Sequence, residues 1–302
     1  MKTKSVTIVE FPFNLGLKEP SPGKAPGVGR LPEWLRQLGF HKLLAPEATW
    51  VLPSPAYRMH LDPETHVLNA DAIVAYAQQE AKLLSEVLND QSFPLVLGGD
   101  CSILVGSALA LKQRGNYALF YLDGHTDFME PSFSETGGAG GMAAAFAAGL
   151  GPQKLTDIQG QRPYIPENQV WCVGNREYDQ AYERIIWESQ ATYFSLAQLR
   201  ETGIAACVGS FLGMVETRQL DGFWLHLDVD VLDDAVMPAV DSRTPGGLSY
   251  DELNQMLYLL LSSPKATGME ITILDPDLDP TGDYTTAFIH HFTDTFRKAR
   301  QV

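Results

Sequence analysis

Short, dense apolar runs alternate along this chain with longer stretches in which apolar residues recur at helical spacing. Val6–Glu10, Phe93–Leu97, Tyr117–Leu122, Val170–Val173, 193–195, 223–227 and 269–274 are the runs. Their length and their β-branched and aromatic content predict buried strands. Helical spacing predicts helices over 33–38, 102–112, 251–261 and 285–299, and over a long stretch that Asn69 or Asp71 can cap and that runs to Leu88. Ser249 is placed to cap the helix at 251–261. A Pro/Gly-rich loop covers 20–32, and the Gly/Ala-rich segment 135–151 reads as a loop leading into a tightly packed helix. Strands alternate with helices throughout, without a linker-like gap. The expectation is one α/β domain spanning 1–302, a three-layer α-β-α arrangement with a mainly parallel central sheet. No internal repeat or low-complexity segment interrupts it.

Composition narrows the partners. The 22 basic and 37 acidic residues give a formal charge of −15, which argues against nucleic acid or an anionic membrane as partner. No apolar run approaches the ~20 residues of a membrane span. The start, Met1 to Glu10, reads as a first strand and not as a signal peptide. Cys101, Cys172 and Cys207 are too few and too scattered for a disulfide scaffold. A reducing cytoplasm is the expected compartment.

Three segments carry the chemistry: Gly98-Gly99-Asp100-Cys101-Ser102, Asp123-Gly124-His125-Thr126-Asp127, and Asp228-Val229-Asp230 with Asp233 just beyond. Each begins where an apolar run ends, at the carboxyl end of an expected strand, where open α/β sheets place ligands. Carboxylates with one imidazole suit hard or borderline divalent cations. The thiol of Cys101 is the anomaly. His226 would point to the same side as Asp228 and is read as a supporting or structural residue. His290 and His291, far from any motif, are read as packing or surface.

The three segments, in this order, resemble the metal motifs of the ureohydrolase superfamily, which includes arginase, agmatinase and formimidoylglutamase. Segment 238–247 is similar to that family's substrate loop, Met269-Glu270-Ile271 with Asp275-Pro276 to its glutamate strand, and 26–35 to its N-terminal loop. The resemblance implies an arginase-like fold and two bridged divalent cations, usually manganese. Asp123 and Asp228 would bridge them. His125 and Asp230 would complete one coordination sphere, Asp127 and Cys101 the other. A bridging hydroxide would attack a guanidinium or amidine carbon, Asp127 would pass its proton to the leaving amine, and Glu270 would pair with the substrate's cationic nitrogens. A trimer or hexamer is implied by the same likeness.

The departures matter as much. Cys101 stands where the family has a histidine, and a helix N-terminus there is expected to lower the thiol pKa. As thiolate it shifts preference toward zinc, iron or nickel; as a buried thiol it leaves that half poorly built. Gly140 stands where many members have histidine, and Asp234 replaces the usual proline. Arg243, in the substrate loop near Asp241, has two readings: a clamp for a substrate carboxylate, or a loop tie to Asp234 or Asp241. Asn175-Arg176-Glu177 is placed near the same mouth. The reading that follows is a metal-dependent hydrolase of a linear guanidino, amidino or formimino compound. The alternatives are a catalytically impaired subunit partnering an active paralogue, and an enzyme gated by oxidation of Cys101.

Overall fold

The computed structural model describes residues 5–301. Eight strands form a single sheet: β1 (Val6–Glu10), β2 (Ala48–Val51), β3 (Phe93–Leu97), β4 (Tyr117–Leu122), β5 (Val170–Val173), β6 (Thr192–Phe194), β7 (Gly222–Asp228) and β8 (Ala266–Thr272). Their order across the sheet is β2-β1-β3-β8-β7-β4-β5-β6, and every neighbouring pair is parallel. Parallel sheets need cover on both faces, and β3 and β7 are accordingly buried at every residue, although β7 and β8 carry His226, Asp228 and Glu270 among their apolar residues. Helix Ala70–Asn89 packs on Leu104–Lys112, while Ile204–Thr217, Tyr250–Leu261 and Asp283–Arg300 pack in series. The result is the expected three-layer α-β-α fold.

Several elements lie outside the sequence expectations: the helices Phe40–Leu44, Gln153–Thr156, Gln180–Glu188, Leu196–Thr202 and Ile204–Thr217, and strand β2. β2 is an edge strand with residues 49–51 exposed, so it carries no buried apolar run to announce it. Helix Ile204–Thr217 buries Ile204, Cys207, Val208, Phe211 and Val215, a helical spacing diluted by alanine and glycine. Elsewhere boundaries move by a few residues. Ser249 does cap Tyr250–Leu261, and with Glu252 it forms a reciprocal capping box. Among the described residues, no helix is long and apolar enough to cross a membrane.

Strand register sets up the site. Tyr121 on β4 is level with His226 on β7, which is level with Glu270 on β8. One pleat further on, Asp228 is level with Thr272, and the period of two keeps all five on one face. Ser107 of helix Leu104–Lys112 donates to Glu270 Oε2 at 2.6 Å, which identifies that helix as the cover of this face. The carboxyl ends of the four middle strands, β3, β8, β7 and β4, therefore converge.

Candidate metal centre

The turn after β3 begins with two glycines because nothing larger fits. A Cβ on Gly99, whose φ is +64°, would come within 2.3 Å of the Phe13 carbonyl oxygen. Asp100 then ties the turn together, accepting from Ser102 N at 2.9 Å and from Gly16 N at 2.8 Å. That leaves Cys101 to open a helical turn with its thiol in the site. The turns after β4 and β7 behave alike: Asp123 accepts from His125 N at 2.6 Å, and Asp228 from Asp230 N at 2.8 Å. Each such Asx turn aims two side chains at one place.

Two donor groups result. Asp123, His125 and Asp230 offer ligand atoms within 4.8 Å of one another, and so do Cys101, Asp123, His226 and Asp228. Asp123 belongs to both. Its Oδ2 is buried and makes no hydrogen bond, an orphaned carboxylate oxygen that a cation would satisfy. Four buried aspartates, 123, 127, 228 and 230, share this space, and carboxylates are buried together when a metal or other cation compensates them. The residues present thus fit divalent ions.

The electrostatics show the same excess of negative charge. Burial, then the charge of Asp230, raises the Asp123 pKa; burial and neighbouring aspartates push Asp127 and Asp228 well above the usual carboxylate range. Asp230 goes the other way: burial opposes its charge, but His125, the Gly124 N–H and Arg176 outweigh it. Burial likewise opposes protonation of His125, yet Asp230 and Asp123 hold its pKa well above the ordinary value. Its Nδ1 lies 2.9 Å from Asp230 Oδ2.

Cys101 corrects one expectation. Burial, followed by the charges of Asp228, Asp127 and Asp123, pushes the thiol up, not down. The helix N-terminus is outweighed, and Sγ donates to Asp228 Oδ2 at 3.0 Å.

A cavity of about 300 Å³ opens over the site, lined in part by Cys101, His125, Asp127, Asp228, Asp230 and Asp241. Asp127 lies outside both donor groups; it accepts a hydrogen bond from the buried Tyr121 hydroxyl and has a left-handed φ of +49°. Glu270 does not reach the cavity. It is fully buried, with its oxygens taken by Ser107 and by His226 Nδ1 at 2.6 Å; Ile273 lines the cavity from that chain segment instead. Arg243 is exposed and forms a two-pronged pair with Asp234, Nη2 to Oδ2 at 2.9 Å, the contact that the loop-tie reading describes. Asp233 accepts from Gly246 N at 2.6 Å and holds the same loop. Gly140 lines the cavity, and a Cβ there would meet Leu17 at 3.0 Å. His290 is exposed and His291 stacks on Tyr250.

Sequence reasoning did not single out Tyr121, Tyr182 or Ile273. It placed Arg176 at the mouth, where the buried guanidinium in fact clamps the main chain, donating to the carbonyls of Asp230 at 2.7 Å and Thr244 at 2.6 Å. Tyr182 lines the cavity and accepts from Thr126 N at 2.7 Å. For Tyr121, the period of two back from Asp123 was the available signal.

Comparison with known proteins agrees with this geometry. Residues 4–296 match the model of the arginase family. An arginase of Staphylococcus aureus strain MRSA252 is 32% identical over 212 residues, 70% of each chain, and that of strain COL is 29% identical over 282 residues, 92% of each. The solved arginase of Bacillus caldovelox superposes with a TM-score of 0.86 at 25% identity, covering 97% of this chain and 98% of that one. The chain belongs to the arginase family and is a hydrolase acting on the C–N bonds of linear amidines.

Proposed function

We propose that this enzyme hydrolyses a small guanidino or amidino acid at a centre of two divalent ions. The observation that carries the proposal is the pair of donor groups sharing Asp123 at one cavity. Asp123, His125 and Asp230 would hold one ion; Cys101, Asp123 and Asp228 would hold the other. Manganese is the family's usual ion, with zinc, nickel or iron favoured by the thiol. When bound, the ions supply a water acidic enough to attack at neutral pH.

The protein's own groups do the rest. Asp127, oriented by the Tyr121 hydroxyl, takes the water's proton as oxygen adds to the planar carbon. It passes that proton to the amine as the C–N bond breaks, releasing urea, or formamide in the formimino case. With Glu270 enclosed, Asp241 is the acid that lines the cavity outside both donor groups apart from Asp127, and we assign it to the substrate's cationic nitrogens. Lys18, exposed on the cavity wall with Ser134 and Thr136, supplies the counter-charge for a substrate carboxylate. On the family's example alone, we place residues 1–302 in one catalytic domain, assembled as a cytoplasmic trimer or hexamer.

Asp241 supplies the test. The surrounding wall, then Asp230, pushes its carboxyl up to about 6, an effect moderated by the exposure of the residue as a whole. An Asp241 that binds a cation must be ionised, so kcat/KM for an active guanidino acid is expected to fall below about pH 6. Asp241→Asn is expected to raise KM on the order of 10–100-fold, the worth of a hydrogen bond to a charged group, and to abolish that acidic limb. An unchanged KM would remove Asp241 from the substrate site.

A further inference from the structure

The deep donor group contains a residue that the position-by-position likeness leaves unassigned, His226. Its ring is fixed on three sides. Tyr121 stacks on it, with ring centroids 4.2 Å apart and planes 9° from parallel. Nδ1 lies 2.6 Å from Glu270 Oε1, and Glu270 is itself held by Ser107. A carboxylate accepts, so in the neutral imidazole facing it Nδ1 carries the hydrogen and Nε2 the lone pair. Nε2 is the nitrogen left for the site. It is 3.3 Å from Thr272 Oγ1, which is 3.4 Å from Cys101 Sγ. The Thr272 hydroxyl has another acceptor in the Leu227 carbonyl, at 3.4 Å, so it can turn away and free that lone pair. Both His226 and Glu270 are fully buried.

This is the arrangement by which proteins prepare a histidine to bind a metal: a carboxylate on one ring nitrogen fixes the tautomer and raises the basicity of the other. Resting on the metal-centre reading above, we infer that His226 is a ligand of the deep ion, together with Cys101, Asp123 and Asp228, and that Glu270 is its positioning residue. Thiolate, imidazole and carboxylate oxygens form a donor set suited to zinc or a similar borderline cation. The outer group, with His125 and two aspartates, contains no sulfur and favours a harder ion. Glu270 then serves the centre through His226, which accounts for a buried carboxylate that has no path to substrate.

X-ray absorption at the zinc edge, on wild-type protein loaded with a single equivalent of Zn²⁺, tests this without relying on any variant. The expected result is sulfur at about 2.3 Å and imidazole nitrogen at about 2.0–2.1 Å on the same ion. Glu270→Gln is expected to keep both scatterers and to weaken zinc affinity about 10–100-fold. Sulfur without imidazole, or imidazole without sulfur, overturns the inference and leaves a metal centre standing. Protein that binds no zinc, manganese or nickel overturns the centre itself, and this inference with it.

Discussion

The two halves of the centre differ in how they are built. The outer half comes from turn residues: Asp123 and His125 after β4, and Asp230 after β7. Its imidazole is partly open to the cavity, with 19% of the His125 side chain exposed. The deep half is gathered from three places in the chain, Cys101 after β3, Asp123 after β4, and His226 with Asp228 on β7, and each is at most 2% exposed. Local turn geometry fixes the first; sheet register and packing fix the second. The open donor group thus depends on neighbours in sequence, while the buried one depends on how three strands are brought together.

Asp123 is where the halves meet, so its loss is expected to have the largest effect. Asp123→Asn removes a shared carboxylate, and bound metal is expected to fall in both halves. Activity is expected to drop by about a thousandfold or more, several kcal/mol of transition-state stabilisation. Elemental analysis beside a kinetic assay checks it; full metal content with activity intact would show that the halves do not share a ligand.

Cys101→His acts on the deep half alone. Replacing sulfur by a second imidazole is expected to move ion preference from zinc toward manganese on the order of tenfold, about 1.4 kcal/mol. Competition between the two ions measures it. Unchanged selectivity would mean that the thiol stays outside the coordination sphere.

Chelation compares the centre with and without its compensating charge. Asp123, Asp127 and Asp228 have folded pKa values above their ordinary value of 3.8. Groups raised in this way contribute most stability below the unfolded pKa, and that contribution is lost as pH climbs through the folded pKa. Asp230 is lowered and works in the opposite sense, one group against three. The metal-free protein is therefore expected to lose stability from these groups as pH rises, while bound ions, which need deprotonated ligands, gain hold. At an ion concentration of about 100 times Kd the gain is about 2.7 kcal/mol per site, and it is expected to shrink as pH falls through the raised pKa values of these aspartates. Thermal melts with chelator and with zinc measure the difference; a gain independent of pH would mean the carboxylates are not titrating against the ion.

The same contrast explains what could be read from the sequence. The strand–helix alternation, the parallel sheet and the outer donor group were legible because each is encoded by neighbours: an apolar run, then a turn with aspartate and histidine at period two. Cys101 was visible as an anomaly, but its protonation was not, since the surrounding carboxylates come from other strands. His226 and Glu270 were seen one at a time and read separately, one as support and one as a substrate contact. Only register sets Tyr121, His226 and Glu270 side by side, where His226 stacks on Tyr121 and its Nδ1 meets Glu270. Ile273 replaces Glu270 in the cavity because the chain leaves β8 at Thr272 with a φ of +73° at the next residue, a turn that period-two reasoning cannot foresee.

Arg243 belongs to neither half and should be affected least. It lies on the loop above the cavity, where its guanidinium pairs with Asp234 in the open. Side-chain hydrogen bonding by Arg243 holds the Asp234 pKa below the usual value, so the two ends of the loop favour each other's charge. Solvent and salt screen such pairs, and the buried Arg176, which holds the carbonyls of Asp230 and Thr244, already anchors the same segment. Arg243→Ala is therefore expected to change KM for an active guanidino acid by no more than about threefold, the scale of an exposed ion pair. Metal content should stay the same. A larger rise in KM, seen for substrates with a carboxylate and absent for those without, would mean that Arg243 leaves Asp234 when substrate enters. The carboxylate clamp would then pass from Lys18 to the loop, and the substrate site above the two halves would be completed only on binding.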